Sequence, residues 1–343
     1  MTTHYKARFG AYTASDKVQD GDRLLLSLLV EQAMDGVGGR CSAELAGAEF
    51  DSVALGDPVE IQLDTGAGAV TVFTGEVTQG TLTATTQCIE AQDGLARLAL
   101  QELESAYENV SLDFIIKDLL QQGGAQAGSV CKGPEVPSYA VHRQPRLLGQ
   151  VWRLAQACGA DVYSSGDGKV QVATPGQAGS QQHTLRFGEN VRSLALGPAV
   201  LPWDSVEVWG EGAGSAKGSE KSHWLCTDLA GVSGKAVVDD DGQVTAGKLG
   251  QRPLRLRDGA LRSGGAAQDS AKARMAWLAA RRVTGQMDLN GAPAVMPGDT
   301  VRIDKLPAGH GVARLLADGA PLRVRGVRHW LDRELGLVTR LHF

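Results

Sequence analysis

Apolar and polar residues alternate through much of this chain, and two distant stretches repeat one alternating arrangement. In the first, Leu55-Gly56-Asp57-Pro58-Val59-Glu60-Ile61 is followed by Phe73-Thr74-Gly75-Glu76-Val77 and then by Gly80-Thr81-Leu82-Thr83. In the second, Pro297-Gly298-Asp299-Thr300-Val301-Arg302-Ile303 is followed by Val324-Arg325-Gly326-Val327 and then by Gly336-Leu337-Val338-Thr339. Each begins with a Gly-Asp turn that launches a strand with apolar residues two apart. A second strand carries a Gly before a Val, and a third ends the unit. Period-two apolar placement behind a glycine turn is the pattern of a half-buried antiparallel strand. Gly56, Asp57, Gly75, Gly298, Asp299 and Gly326 are therefore expected to hold the structural turns of a duplicated β-unit, with Asp57 and Asp299 in equivalent places.

Further strands are predicted at 24–30, 41–45, 59–63, 70–73 and 82–89, which completes a barrel or sandwich by about residue 92. Residues 94–104 then turn helical, with Leu95, Leu98 and Leu103 on one side. Ser111 opens an amphipathic helix whose apolar positions, Leu112, Ile115, Ile116, Leu119 and Leu120, follow the helical repeat until Gly123-Gly124 stops it. A second helix over 145–158 starts at Pro145 and ends at Gly159, and a hairpin follows through Gly166-Asp167-Gly168. From Leu185 strands return, at 194–196 and 205–209. Residues 210–222 read as a loop, a hairpin surrounds Asp239 to Gly242, and a last helix covers about 267–282. The organisation expected is a first β-domain over 1–93, an α+β insertion over 94–190, and a second β-domain over 191–343. That last domain carries its own loop and helix insertion at about 210–282.

Composition adds few constraints. Hydrophobic residues at 43% and charged ones at 21% describe an ordinary globular chain, and 44 glycines with only 5% aromatics favour a β-rich, turn-rich one. No apolar run reaches the roughly 20 residues a membrane helix requires. The N-terminal Met-Thr-Thr-His-Tyr-Lys-Ala-Arg lacks the apolar core of a secretory signal, so synthesis in a cytoplasm is expected. Five scattered cysteines (Cys41, Cys88, Cys131, Cys158, Cys226) without C-x-x-C spacing argue against a disulfide scaffold or a zinc site. The net charge of −5 is uneven: residues 1–250 hold 18 Lys/Arg against 31 Asp/Glu, and residues 251–343 hold 16 against 8. The basic residues alternate along strands, as in Arg252, Arg255 and Arg257, instead of forming a block. Subunit or partner contact is thus favoured over nucleic-acid binding.

Candidate chemistry is sparse. Asp64-Thr65-Gly66-Ala67 matches the signature loop of aspartic proteases, in which two carboxylates share a proton. The apolar-apolar-Gly element such enzymes need is missing, and an ordinary hairpin loop explains the run. The seven histidines include no H-E-x-x-H, and Gly231-Val232-Ser233-Gly234-Lys235 lacks the first glycine and final Ser or Thr of a phosphate loop. No catalytic, cofactor-binding or metal-binding residue is assigned.

The C-terminal run from Leu289 to Val301, with Gly291, Pro293 and Pro297-Gly298-Asp299, resembles that of baseplate hub proteins of contractile tails. These are the phage late control protein D family, similar to the N-terminal hub part of VgrG. Val327-Arg328-His329-Trp330-Leu331-Asp332 with Gly336-Leu337-Val338-Thr339 resembles the family's ending. Phe73-Thr74-Gly75-Glu76-Val77, the 90–98 stretch, Tyr107-Glu108-Asn109-Val110-Ser111 and the 147–172 stretch match its habits. The resemblance implies a β-rich α+β fold with two tail-tube-like β-barrel domains around an α+β insertion. It also implies a non-enzymatic homotrimer joining a sixfold inner tube to a threefold spike around a channel. Implied partners are a spike protein on a separate chain, since this one stops at Phe343, the inner tube or a tube initiator, a tape-measure protein and baseplate wedge components. Nucleic acid would enter only as passing cargo. The particle would be a phage, a phage-tail bacteriocin or an injection system, assembled from a chain made in the bacterial cytoplasm. A tail-tip hub of a non-contractile tail is the alternative, and a retroviral-type protease using Asp64 the more remote one.

Overall fold

The computed structural model describes residues 3–17, 19, 22–34, 36–47, 53–177, 180–211, 232–239, 243–307, 309–316 and 320–343. The described residues are β-rich with few helices, and one large curled antiparallel sheet organises them. The chain opens with β1 (His4–Phe9), β2 (Tyr12–Ser15), β3 (Leu25–Ala33), β4 (Arg40–Ala46), β5 (Pro58–Asp64), β6 (Val70–Leu82) and β7 (Thr86–Gln92). The insertion follows with α1 (Gly94–Leu98), β8 (Ser105–Ser111), α2 (Leu112–Gln122), β9 (Ala127–Val130), β10 (Glu135–Val141), α3 (Leu147–Ala157), β11 (Asp161–Ser164) and β12 (Val170–Ala173). Next come β13 (Gln182–Arg186), β14 (Val191–Pro198), β15 (Ser205–Trp209), β16 (Ser233–Val238), β17 (Val244–Ala246), β18 (Pro253–Arg257) and α4 (Gly264–Ala279). The chain closes with β19 (Val283–Leu289), β20 (Thr300–Asp304), α5 (Gly311–Leu315), β21 (Leu322–Arg323), β22 (Gly326–Asp332) and β23 (Gly336–His342).

Alternation decides which face each strand buries. In β5, Val59, Ile61 and Leu63 point inward while Glu60 and Gln62 are half-buried, and in β20 Val301 and Ile303 do the same. Two separate apolar clusters result. One gathers Phe9, Leu45, Ile61, Phe73 and Ile89; the other gathers Met287, Val301, Val324, Val327 and Leu341. A third fills the insertion, where α2 and α3 cover the β11-β12-β9 sheet. A fourth lies between α4 and the β17-β16-β15-β18 sheet.

The strand order shows how the repeat is built. The large sheet runs β14-β19-β23-β22-β3-β4-β7-β6-β5-β1-β2, and a small sheet adds β13-β20-β21. From β3 the first half reads β3-β4-β7-β6-β5-β1. The second half follows the same path as β14-β19-β23, then β22 and β21, then β20-β13. One departure is direction: β1 is antiparallel to β5, whereas β13 is parallel to β20. Another is continuity. The first half of β6 pairs with β5 and its second half with β7, Glu76 belonging to both registers, while β21 and β22 divide that work. The β15–β18 sheet and α4 are inserted between β14 and β19.

Several predicted boundaries move. Helix α1 ends at Leu98 instead of continuing to 104, because the chain beyond it is drawn into β8, which pairs with β10. The strand predicted over 82–89 is interrupted by a turn at Thr83, whose hydroxyl accepts from the Thr85 and Thr86 amides. The two N-terminal strands are additional to the predicted set. Helix α4 begins and ends three residues earlier than predicted, with the Ser263 hydroxyl accepting from Ala266 N at its start. Strands β16 and β17 form the predicted hairpin, with its tip at 240–242 outside the described residues. Most of the 210–222 loop, and Cys226, also lie outside them.

Candidate functional site

The two Gly-Asp turns are built from the same hydrogen bonds. In the first, Ala54 N donates to Asp57 Oδ2 (2.8 Å), Asp57 N to Ala54 O (3.2 Å), Gly56 N to Val77 O (2.8 Å) and Val77 N to Asp57 O (2.9 Å). In the second, Met296 N donates to Asp299 Oδ2 (3.0 Å), Asp299 N to Met296 O (3.2 Å), Gly298 N to Val324 O (2.9 Å) and Val324 N to Asp299 O (2.8 Å). Gly56 and Gly298 both take positive φ, +86° and +97°, where a β-carbon is disfavoured. These bonds align Val77 with Val324. Gly75 therefore stands two residues before that point and Gly326 two residues after it. Gly75 packs its α-carbon against the Gln92 carbonyl, and Gly326 begins β22 opposite Ala33.

What surrounds the turns differs. Asp57 is half-buried near Gly10, whereas Asp299 is buried and also accepts from Gln181 N (2.8 Å) and pairs with His183 Nε2 (2.9 Å). Glu76 and Arg323 hold matching places opposite Pro58 and Thr300. Glu76 forms a surface pair with Arg97 of the insertion (3.0 Å), its side chain 50% exposed. Arg323 reaches Asp161 of the insertion, side chains 11% and 3% exposed. Asp161 also accepts from Trp277 Nε1 (2.8 Å) and Arg281 Nη2 (3.1 Å) of the α4 region, and Arg325 stands 3.9 Å away. One buried carboxylate thus ties three parts of the chain together.

The halves join where β22 pairs antiparallel with β3, from Gly326 opposite Ala33 to Asp332 opposite Ser27. A charged row crosses the outer face of this joint. Arg340 grips Asp288 with two bonds (2.6 and 3.0 Å) and holds its carboxyl below the usual carboxylate range. Arg340 and Arg328 stand 5.0 and 5.2 Å from the Trp330 ring centre, and Glu31 pairs with both Arg328 and Arg40. On the inner face His329 is buried, its Nδ1 hydrogen-bonded to Thr339 Oγ1 (2.9 Å), and burial pushes its pKa down to about 4. Two comparable edges are open. Among the described residues no strand pairs with β14 on the side away from β19, apart from one bridge between Phe187 and Val191. None pairs with residues 78–82 of β6 on the side away from β7, where Val77 is already bonded to the Gly56-Asp57 turn.

Asp64 gives the protease reading no support. Its carboxylate accepts from Gly66 N (2.7 Å) and Gly68 N (3.0 Å) and so closes the hairpin between β5 and β6. Among the described residues no group of three or more His, Cys, Asp or Glu is disposed to hold a metal, and no helix is long and apolar enough to cross a membrane. What the sequence did not reveal is the Asp161 cluster, whose other members all lie more than 100 residues beyond Asp161.

The fold is that of phage-tail proteins. No family model matches the sequence, and no curated protein does. Among solved structures, a tail protein from Neisseria meningitidis MC58 superposes with a TM-score of 0.68 at 13% identity, over 100% of this chain and 96% of the other. The 43 kDa tail protein of prophage MuSo2 from Shewanella oneidensis gives 0.63 at 12% identity, over 99% and 97%. The E. coli c3393 protein, described as a type VI secretion component structurally similar to the T4 tail proteins gp27 and gp5, gives 0.58 at 11%, over 95% and 74%. The chain therefore resembles phage-tail and type VI secretion proteins in fold.

Proposed function

We propose that this chain is a structural, non-enzymatic hub of a contractile-tail baseplate, a trimer that joins a sixfold inner tube to a threefold spike. In this reading residues 1–93 and 191–343 are the two tube-like barrel domains, 94–190 the insertion between them, and about 210–282 a further insertion. The observation that carries it is the duplicated strand order together with its open edges. The joint between β3 and β22 links one β-unit to the next within the chain. By the same relation, β14 of one copy would pair with residues 78–82 of β6 in a neighbour. Three chains then close a ring of six β-units around a channel, with those two edges paired between copies.

The partners are those a tube-to-spike adaptor contacts: the spike on another chain, the inner tube or its initiator, the tape-measure protein and the wedge components. The product is a particle component assembled in the bacterial cytoplasm. Deletion of the gene in the producing bacterium tests this. Negative-stain images are expected to show particles without a joined baseplate and spike, and restoration by the wild-type chain and equally by Asp64→Asn. Normal particles after deletion would sink the reading. Failure of a folded Asp64→Asn chain to restore them would revive catalysis.

A further inference from the structure

We propose that copies of this chain meet in one defined register, with Leu196 and Val200 of one copy set against Leu82 and Thr78 of the next. The pairing rests on the hub reading, which supplies the second copy. Matching ladders through the two β-units fix the register. In the first unit Leu25 stands opposite Leu45, Leu45 opposite Gln87 and Gln87 opposite Leu82. In the second, Val191 stands opposite Leu289, Leu289 opposite Thr339 and Thr339 opposite His329. Both ladders carry the same irregularity: the register shifts by one residue between Leu25 and Ser27, and between Val191 and Ser193. The adjoining bonds agree, Ala46 N donating to Leu24 O (2.9 Å) and Asn290 N to Asn190 O (3.1 Å). Leu82 therefore holds the place of His329. Leu196, five residues after Val191, holds that of Val30, five after Leu25.

Across the joint within the chain, His329 stands opposite Val30 and Val327 opposite Gln32, and Met34 N donates to Arg325 O (2.9 Å). Carried over to the open edges, these become Leu82 opposite Leu196, Gly80 opposite Pro198, and Val200 N donating to Thr78 O. Backbone directions agree. Ala199 N donates to Arg282 O (2.7 Å), and bonded pairs alternate along antiparallel strands, so Leu196 and Pro198 direct their backbone groups away from β19. Side chains agree as well. Half-buried Leu196 and Leu82 form an apolar pair, and a β-carbon on Gly80 would meet nothing within 4 Å, which leaves room for the Pro198 ring. Val200 is 86% exposed, whereas Met34, its counterpart, is buried with Tyr163. Thr78 follows Val77, whose backbone holds the first Gly-Asp turn, and Leu55 at that turn is 72% exposed. The neighbour's Val200 thus arrives where the first unit lacks the cover that Tyr163 gives the second.

Cysteine pairing on the purified full chain tests the register. Gln79 and Ala199 take the places of Gly326 and Ala33, a directly opposed pair without mutual hydrogen bonds, where β-carbons come closest. In a Cys88→Ser background, Gln79→Cys with Ala199→Cys should give a covalent band of three chain masses on mild oxidation. Gln79→Cys with Gly197→Cys, two residues out of register, should stay unlinked. Val200→Asp should raise the concentration needed for the trimer by about tenfold or more. A trimer by light scattering that gives no 79–199 link, or that links 79 to 197 as readily, overturns the register while the hub reading stands. A Val200→Asp chain that assembles like the wild type overturns the burial of Val200. A chain that keeps one chain mass throughout overturns both this pairing and the trimer beneath it.

Discussion

The first and second β-units use one turn but embed it differently. Asp57 and Asp299 accept the same local amide, and Gly56 and Gly298 share the same positive φ. Around the first turn there is open space: a β-carbon on Gly56 would meet nothing within 4 Å. Around the second, the insertion presses in. A β-carbon on Gly298 would collide with the Tyr163 hydroxyl and stand 2.9 Å from its Cζ. The same contrast separates Glu76, paired at the surface, from Arg323, paired in the interior. Local hydrogen bonding therefore specifies the turn, and tertiary contact specifies how much the fold depends on it. The first turn is exposed, whereas the second is anchored by the insertion of its own chain.

Substitutions at matched positions sharpen this contrast. Asp161→Ala deprives the buried Arg323 of its carboxylate and should destabilise the chain by about 3–5 kcal/mol. Glu76→Ala, at the exposed pair, should cost about 0–1 kcal/mol by the same denaturant titration. Equal effects would erase the distinction. Next in size, Gly298→Ala combines left-handed strain with the Tyr163 clash and should cost about 3 kcal/mol, against about 1–2 kcal/mol for Gly56→Ala. Tyr163→Phe should restore part of the Gly298→Ala loss and none of the Gly56→Ala loss.

The joint between the units should depend on pH. His329 in the folded chain has a pKa lowered by burial to about 4, below its ordinary 6.5. The unfolded chain thus binds the extra proton first as pH falls. Stability from this group is complete above about 6.5 and is lost towards pH 4, so about 2 kcal/mol should disappear between pH 7 and pH 5. Comparing unfolding at those two pH values with the same measurement on His329→Gln isolates the effect; identical pH slopes would refute it. Smallest is the carboxylate itself. Asp299→Ala, which also severs Gln181 and His183, should cost about 2 kcal/mol, against about 1 kcal/mol for Asp57→Ala.

The parts of this contrast that were legible in the sequence are the local ones. Val59 and Ile61, like Val301 and Ile303, alternate with polar neighbours, and the Ser111–Gly123 helix displays its buried face at helical spacing, so each pattern is self-contained. Strand β1 alternates Tyr5, Ala7 and Phe9 with Lys6 and Arg8, but the run is short (6 residues) and its partner β5 lies far along the chain. The overrun of α1 past Leu98 has a related cause, since β8 is defined by pairing with β10 and not by its own residues. The sequence pattern sets Gly75 beside Gly326, yet the hydrogen bonds align Val77 with Val324, because β6 is one continuous strand where β21 and β22 are two. The Asp161 cluster joins that carboxylate to residues more than 100 positions further on, and nothing local marks them as partners.

The open edges of β14 and β6 carry the proposed hub function, in which they would close three chains into a ring. Light scattering on the purified chain at micromolar concentration measures this most directly. The expected particle has three times the 36.0 kDa chain mass. A species of one chain mass across that range would contradict it.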